Sequence, residues 1–356
     1  MDSKIVGVLA VVVITLIAGV LALGALSPSG AVVSGEKAVK IGIITDLSGP
    51  AAYWGESTRV GAELAVADLE KEGIIVDLLF EDYKFDSKNA VTSAQKLVEL
   101  DGVDALYVEF NPATIPVAEY AKDKDVIYVL DSAAVSVVNS SPRAFKTYVD
   151  FEAGCKGVAR MFKADGVERL GMLKGSLEAY DVCLRGARQV YPDIIVENYN
   201  TGDADLSTQV LKLNASGAGA VLHPAFEGET LSVLKTLRTQ GIAMRYASVD
   251  EVLTPAVRDY AAELEGGYAF GFRPVSAAFR SEIDAQESGL STYNGAGLAY
   301  THVRQLGRAL AACNGDRQCA AGRLSQSASD STIGFERFED RIARFELKVA
   351  PISEFG

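Results

Sequence analysis

From residue 39 onward, short runs rich in Val, Ile and Leu alternate with longer segments of helical period, and few architectures accommodate that alternation. Apolar runs joined by helix-length crossovers predict parallel sheets covered on both faces. Residues 39–44, 74–80, 103–109 and 126–130 are the first four expected strands. Between the first two, Val60, Leu64 and Ala67 share one helical face, Glu63, Glu70 and Lys71 lie elsewhere, and Gly73 is placed to end the helix. Residues 87–100 and 113–122 supply the next crossover helices. A second series starts near Glu152, with strands expected at 169–173, 194–197, 220–223 and 245–249 and helices such as 179–190 and 227–240. Helical pattern returns over 275–308, and 344–349 reads as a final strand. Two α/β lobes in succession follow, in a chain that crosses between them more than once.

Length agrees with this: 356 residues exceed one compact core. The net charge of −13 removes the cationic field that a nucleic-acid-binding surface needs, so no nucleic-acid partner is expected. An acidic balance suits neutral or amine-bearing partners instead.

Residues 5–26 carry no charge and consist almost wholly of Ile, Val, Leu, Ala and Gly. As a helix this run would be about 33 Å long, enough for a hydrocarbon core of about 30 Å. A secretory signal has a shorter apolar run, so an uncleaved signal anchor is the better reading; cleavage after Ala22-Leu23-Gly24 is the alternative. Lys4 precedes the run and no other basic residue appears until Lys37, which orients the rest of the chain outward. Residues 27–38 read as a flexible tether. The expected location is extracytoplasmic, at the cell surface or in the periplasm.

The four cysteines fit export. Cys313 and Cys319 enclose an Asn-Gly turn signal at the end of an expected helix, a spacing that predicts a disulfide. Cys155 and Cys183 are either a second pair or two buried thiols. No zinc-type spacing, dinucleotide or phosphate-loop motif, or nucleophile elbow is present, and the two histidines, His223 and His302, stand outside any motif. No enzyme activity, cofactor or metal is therefore expected.

The segment "IGIITDLSGPAAYWGESTRVGAELAVADLEKEG" resembles the opening of type I periplasmic binding proteins, specifically the leucine/isoleucine/valine-binding branch of ABC-transporter substrate-binding proteins. The likeness continues through "DYKFDSKNAVTSAQKLVE" and "LYVEFNPATIPVAEYAKDKDVIYVLDSAA", and more loosely to "FERFEDRIARFELK". It implies two Rossmann-like lobes with parallel sheets joined by a three-strand hinge, lobe 1 being residues 39–150 and 275–335 and lobe 2 residues 151–274 and 336–356. It also implies a small-molecule ligand, an amino acid or related amine, captured between the lobes and delivered to an ABC permease. A ligand-sensing ectodomain of the same fold, signalling through a partner protein, is the alternative.

By position, the resemblance puts the ring of Trp54 against the ligand. Asn111, Ala113 and Thr114, with Ser132, Ala133 and Ala134, fall where the family binds a ligand carboxylate through hydroxyls and backbone N–H groups. Asp250 falls where the family pairs an acid with the ligand amine, and Tyr180 and Phe226 fall near second-lobe aromatic positions, where core packing is an equal reading. Two family hydroxyl positions are filled by Asn111 and Ala134, which puts a standard branched-chain amino acid in doubt.

Overall fold

Strands buried on both faces need apolar residues at consecutive positions, and the chain supplies them. A computed structural model describes residues 38–355 apart from Ser288. In the first sheet, β1 (Val39–Thr45), β2 (Val76–Asp82), β3 (Ala105–Glu109), β4 (Ile127–Asp131) and β5 (Ala144–Thr147) run parallel. Ile41, Ile43 and Tyr107 pack toward α1 (Ala52–Lys71), together with Val60, Leu64 and Leu306. Ile44, Leu106 and Val108 face the opposite way, with Ala90, Leu97 and Val117 of α2 (Ser87–Gln95), its π-helical extension Lys96–Leu100, and α3 (Asn111–Ala121).

The second sheet contains β6 (Leu170–Lys174), β7 (Ile195–Asn198), β8 (Ala220–Leu222), β9 (Arg245–Val249) and β10 (Tyr268–Phe272). Its helices include α4 (Phe151–Ala164), α5 (Glu178–Arg188), α6 (Ser207–Ala215) and α7 (Glu227–Gln240). The α4 helix buries Phe151, Cys155, Val158 and Phe162, an i, i+4, i+7, i+11 stripe. Cys155 and Cys183 form a disulfide that ties α4 to α5, and Cys313 and Cys319 form the second. The expected Cys313–Cys319 pairing is present, and of the two readings open for Cys155 and Cys183 the structure has the pair.

After the short helices α8 (Pro255–Arg258) and α9 (Ala261–Leu264), the chain leaves β10 for α10 (Ala277–Gln286), α11 (Asn294–Ala312) and α12 (Arg317–Leu324). The α11 helix packs on α1, so these residues return to the first lobe. Gly61 permits that approach, since a Cβ there would overlap the backbone carbonyl of Ala296.

The tail differs from its sequence-based description. The single strand expected at 344–349 is two, β12 (Ile342–Phe345) and β13 (Leu347–Pro351), and β11 (Phe335–Glu339) precedes them. β11 and β12 form a hairpin whose turn residues, Asp340 and Arg341, are both left-handed, at φ 50° and 65°. Ile342 then pairs with Lys146, which places this hairpin in the first sheet, whereas β13 pairs antiparallel with β10 in the second. Residues 336–345 thus pair with lobe 1 rather than lobe 2. The chain passes between the sheets after β5, after β10 and at Glu346, so three crossings join the lobes.

Candidate ligand-binding site

The loops after β3, β4, β8 and β9 converge on one cavity, as expected for the carboxyl ends of parallel strands. Its volume is about 50 Å³, room for a few water molecules, so a ligand of amino-acid size requires the lobes to open. Phe110, Asn111, Asp131 and Ala133 contribute from the first lobe, Tyr148 from a crossing segment, and Tyr180, Phe226 and Glu251 from the second.

Phe110 reaches the cavity from a left-handed backbone, φ 64°, at the N-terminus of α3. That conformation is uncommon for a bulky residue and costs about 1 to 3 kcal/mol, a strain that clusters at functional sites. Phe110 meets Phe226 of the opposite lobe at 5.7 Å between ring centroids, and Phe85 packs edge-on against Phe226 at 5.0 Å. These rings bridge the cleft.

Trp54 lies behind this layer. It is fully buried, its ring 5.8 Å from that of Phe110, and its indole N–H donates to Glu109 Oε1 at 3.0 Å. Thr58 Oγ1 donates to the same oxygen at 2.7 Å and Thr45 Oγ1 to Oε2 at 2.5 Å. Burial pushes the Glu109 carboxyl up to about 7, against the opposing pull of these donors. Trp54 thus buttresses Phe110 and does not line the cavity. Its neighbour Tyr53 is the side chain close to Glu251, and burial followed by that acid's charge raises its hydroxyl pKa.

The loop after β4 is bonded to itself. Ser132 Oγ donates to Asn111 Oδ1 at 2.9 Å, Ala133 N donates to the same oxygen at 3.1 Å, and Ala134 N donates to Ser132 Oγ at 3.1 Å. Ser132 N donates to the carbonyl of Thr147. Ala113, Thr114 and Ala134 are fully buried and lie outside the lining, although Thr114 Oγ1 and Asn111 Nδ2 are without partners. Asp131, at the end of β4, is buried with both carboxylate oxygens unpartnered. Burial, and then the charges of Glu109 and Glu251, push its pKa well above the carboxylate range.

In the second lobe Asp250 and Glu251 occupy a single 3-10 turn, Asp250–Val252, at the end of β9. Glu251 faces the cavity: Oε1 accepts from the Tyr148 hydroxyl, Oε2 is buried without a partner, and burial with the neighbouring Asp250 charge lifts its pKa to about 8. Asp250 turns into an adjacent cavity with Arg258, Arg280 and Tyr293, where Asn294 Nδ2 donates to Oδ2 at 3.1 Å. It packs over Gly271, at which a Cβ would overlap the carboxylate. The acid at the expected cavity position is therefore Glu251.

Behind the second-lobe wall, Glu229 accepts from the Tyr180 and Tyr199 hydroxyls at 3.2 and 3.0 Å and from the backbone N–H groups of Gly202 and Phe226 at 2.7 and 3.2 Å. His223 bonds Tyr199 and Tyr246, each at 3.1 Å, and burial lowers its pKa to about 3, so it stays neutral. This network fixes Tyr180 and Phe226. Among the described residues no cluster of His, Cys, Asp and Glu has metal-holding geometry.

Residues 38–334 match the sequence profile of the periplasmic binding protein family. The chain belongs to that family. An amino acid binding protein of Pseudomonas aeruginosa is 26% identical over 66% of this binding protein and 67% of its own length. The Leu/Ile/Val-binding protein of Escherichia coli is 21% identical over 64% and 66%. A Streptococcus pneumoniae branched-chain amino acid transporter substrate-binding protein, solved with isoleucine, superposes with a TM-score of 0.77 at 18% identity, covering 88% of this chain and 95% of its own. An R. palustris solute-binding protein solved with 4-hydroxybenzoate gives 0.80 at 17% identity, over 88% and 92%. The fold is that of type I periplasmic binding proteins, and these relatives are binding proteins rather than enzymes.

The apolar run at residues 5–26 lies outside the described residues, among which no helix is long and apolar enough to cross a membrane.

Proposed function

We propose that the chain is an extracytoplasmic solute-binding protein that closes its two lobes over a small amine-bearing ligand and delivers it to an ABC permease. Membership of the family supports the binding role. The observation that carries the ligand class is Glu251, a buried acid on the cavity wall with one carboxylate oxygen unpartnered. A buried carboxylate without a partner is costly, and an ammonium group arriving from the first-lobe side relieves that cost. Because the ligand touches both lobes only when they meet, its binding free energy favours the closed form that a permease recognises.

In this reading lobe 1 comprises residues 39–147 and 275–345, and lobe 2 residues 151–272 and 347–355. Asn111, Ala133, Tyr180 and Phe226 contact the ligand directly, and Trp54 acts through Phe110. Residues 5–26 hold the protein at the membrane. Calorimetric titration of the full chain with small amines and amino acids tests the ligand class: binders should carry an amino group, and Glu251→Gln should weaken them. Unchanged affinity in Glu251→Gln for every ligand that binds removes the proposal. Retention in washed native membranes with Met1 or Asp2 still present tests the tether, and a soluble form beginning near Ala25 refutes it.

A further inference from the structure

Glu251 explains an amine, but the first-lobe wall is not built to receive the carboxylate that an amino acid would bring with it. In the loop after β4, where the resemblance puts that carboxylate, four donors are already spent: Ser132 N on Thr147, Ser132 Oγ and Ala133 N on Asn111, and Ala134 N on Ser132. The side-chain donor left unpartnered on the lining is Asn111 Nδ2, a neutral amide. No Lys, Arg or His is among the lining residues. Lys146, the buried cation whose charge acts on Asp131, turns instead to the carbonyls of Thr147 and Tyr148 at 3.4 and 3.3 Å.

At the same wall stands Asp131, with both oxygens buried and unpartnered. Once a bound cation holds Asp131 in its ionised form, an anion beside it would be repelled in a low-dielectric site, and one amide does not offset that repulsion. A cation is drawn there, and the cavity supplies the other half of a cation site: the rings of Phe110, Tyr148, Phe151 and Phe226. Aromatic faces attract organic cations and tolerate alkylated nitrogen, which has few or no N–H groups to satisfy.

Resting on the amine-binding reading of Glu251, we infer that the cleft recognises an organic cation carrying no carboxylate, held between Asp131 of one lobe and Glu251 of the other inside an aromatic wall. Each acid lacks the partner that the cation provides, and each belongs to a different lobe, so the cation bridges them on closure.

Matched pairs separate this inference from the broader reading. The full chain is titrated at pH 8 with 3-methylbutylamine against L-leucine and with 2-phenylethylamine against L-phenylalanine, each amine being the amino acid without its carboxylate. Tetramethylammonium and 1,4-diaminobutane complete the panel. At least one cation of the panel should bind, with the amine of its pair at least tenfold tighter than the amino acid, and Asp131→Asn should reduce that preference at least tenfold by removing the repulsion. Thermal unfolding of Asp131→Asn confirms that the variant is folded. An amino acid binding as tightly as its amine overturns the inference; if Glu251→Gln then weakens that amino acid, the broader reading stands. No response to any cation, with L-leucine and L-phenylalanine also silent, overturns both. Preference for the amine that survives intact in Asp131→Asn overturns the role of Asp131.

Discussion

Two pairs of buried acids stand on or behind the walls of one cavity and differ in a single respect. Glu109 and Glu229 stand behind the cavity walls with their oxygens supplied by donors, three to the first and four to the second. Asp131 and Glu251 stand on the walls, and three of their four oxygens accept nothing. Burial is alike in the two pairs. The satisfied pair behaves as scaffold, since its hydrogen bonds are complete without any other molecule. The unsatisfied pair keeps a standing cost in the empty protein, which a bound cation removes.

The largest test of this contrast is on stability. Glu229→Ala strips the acceptor from two tyrosine hydroxyls and two backbone N–H groups, and should cost about 3 to 5 kcal/mol in denaturant unfolding. Asp131→Asn, which replaces a buried acid whose two oxygens have no partner, should leave stability unchanged or raise it. A Glu229→Ala variant as stable as Asp131→Asn would break the distinction between scaffold and site.

Next in size is the effect on binding. For a cation that the protein binds, Glu251→Gln should weaken affinity by about 2 to 5 kcal/mol, the cost of truncating one partner of a buried charged pair. Equal weakening by Glu109→Gln, with unfolding unaffected, would show that the wrong acid has been placed on the wall.

How far the sequence disclosed these roles depends on how local each determinant is. Strands β1, β3, β4 and β9 were legible because both faces are buried and their runs are unbroken. β5 hides a buried Lys146 within four residues, and β10 is aromatic and follows Gly266-Gly267, so neither carries the Val/Ile/Leu signal. The β11–β12 hairpin turns on Asp340-Arg341 without glycine, so nothing in the pattern marks β11, while β12 and β13, parted only by Glu346, merge into the one strand expected at 344–349. In the site, the elements were legible and the side-chain directions were not. Whether Asp250 or Glu251 faces the cleft is decided by one 3-10 turn, and whether Tyr53 or Trp54 does so is decided by rotation about α1. The missed acids left one trace, a carboxylate inside an otherwise apolar run, as in "LYVEF" and "YVLDS".

The pH dependence of the empty protein sharpens the contrast further. Burial raises Glu251 from an ordinary 4.5 to about 8 and Asp250 from 3.8 to about 7. Between pH 4.5 and 8 the unfolded chain has released these protons while the native state retains them, so stability falls as pH rises through that window. The loss should be on the order of 6 kcal/mol between pH 5 and pH 8, read from urea midpoints, and Glu251→Gln should remove about half of it. A bound cation should reverse the trend, because it binds the ionised acids and so releases protons, making affinity rise from pH 6 to 8. Affinity that falls with rising pH over this range would mean that the acids bind the ligand in their neutral form.

The smallest expected effect concerns Trp54, which touches both members of the contrast: its N–H completes Glu109, and its ring supports Phe110 on the wall. Trp54→Phe keeps an aromatic ring beside Phe110 and removes one of the three donors to Glu109, while Thr45 and Thr58 continue to donate. A single hydrogen bond to a buried charged group contributes about 1.5 to 3 kcal/mol, but an acid lifted toward 7 is partly protonated at neutral pH, so a loss of about 1 kcal/mol is expected. The amine-over-amino-acid preference should be untouched, because neither Asp131 nor Glu251 has changed. As Trp54 is the only tryptophan of the chain, its emission in the unmutated protein should respond only modestly to ligand, through movement of Phe110. A large quench, or a changed preference in Trp54→Phe, would place the indole on the cavity wall and Phe110 behind it.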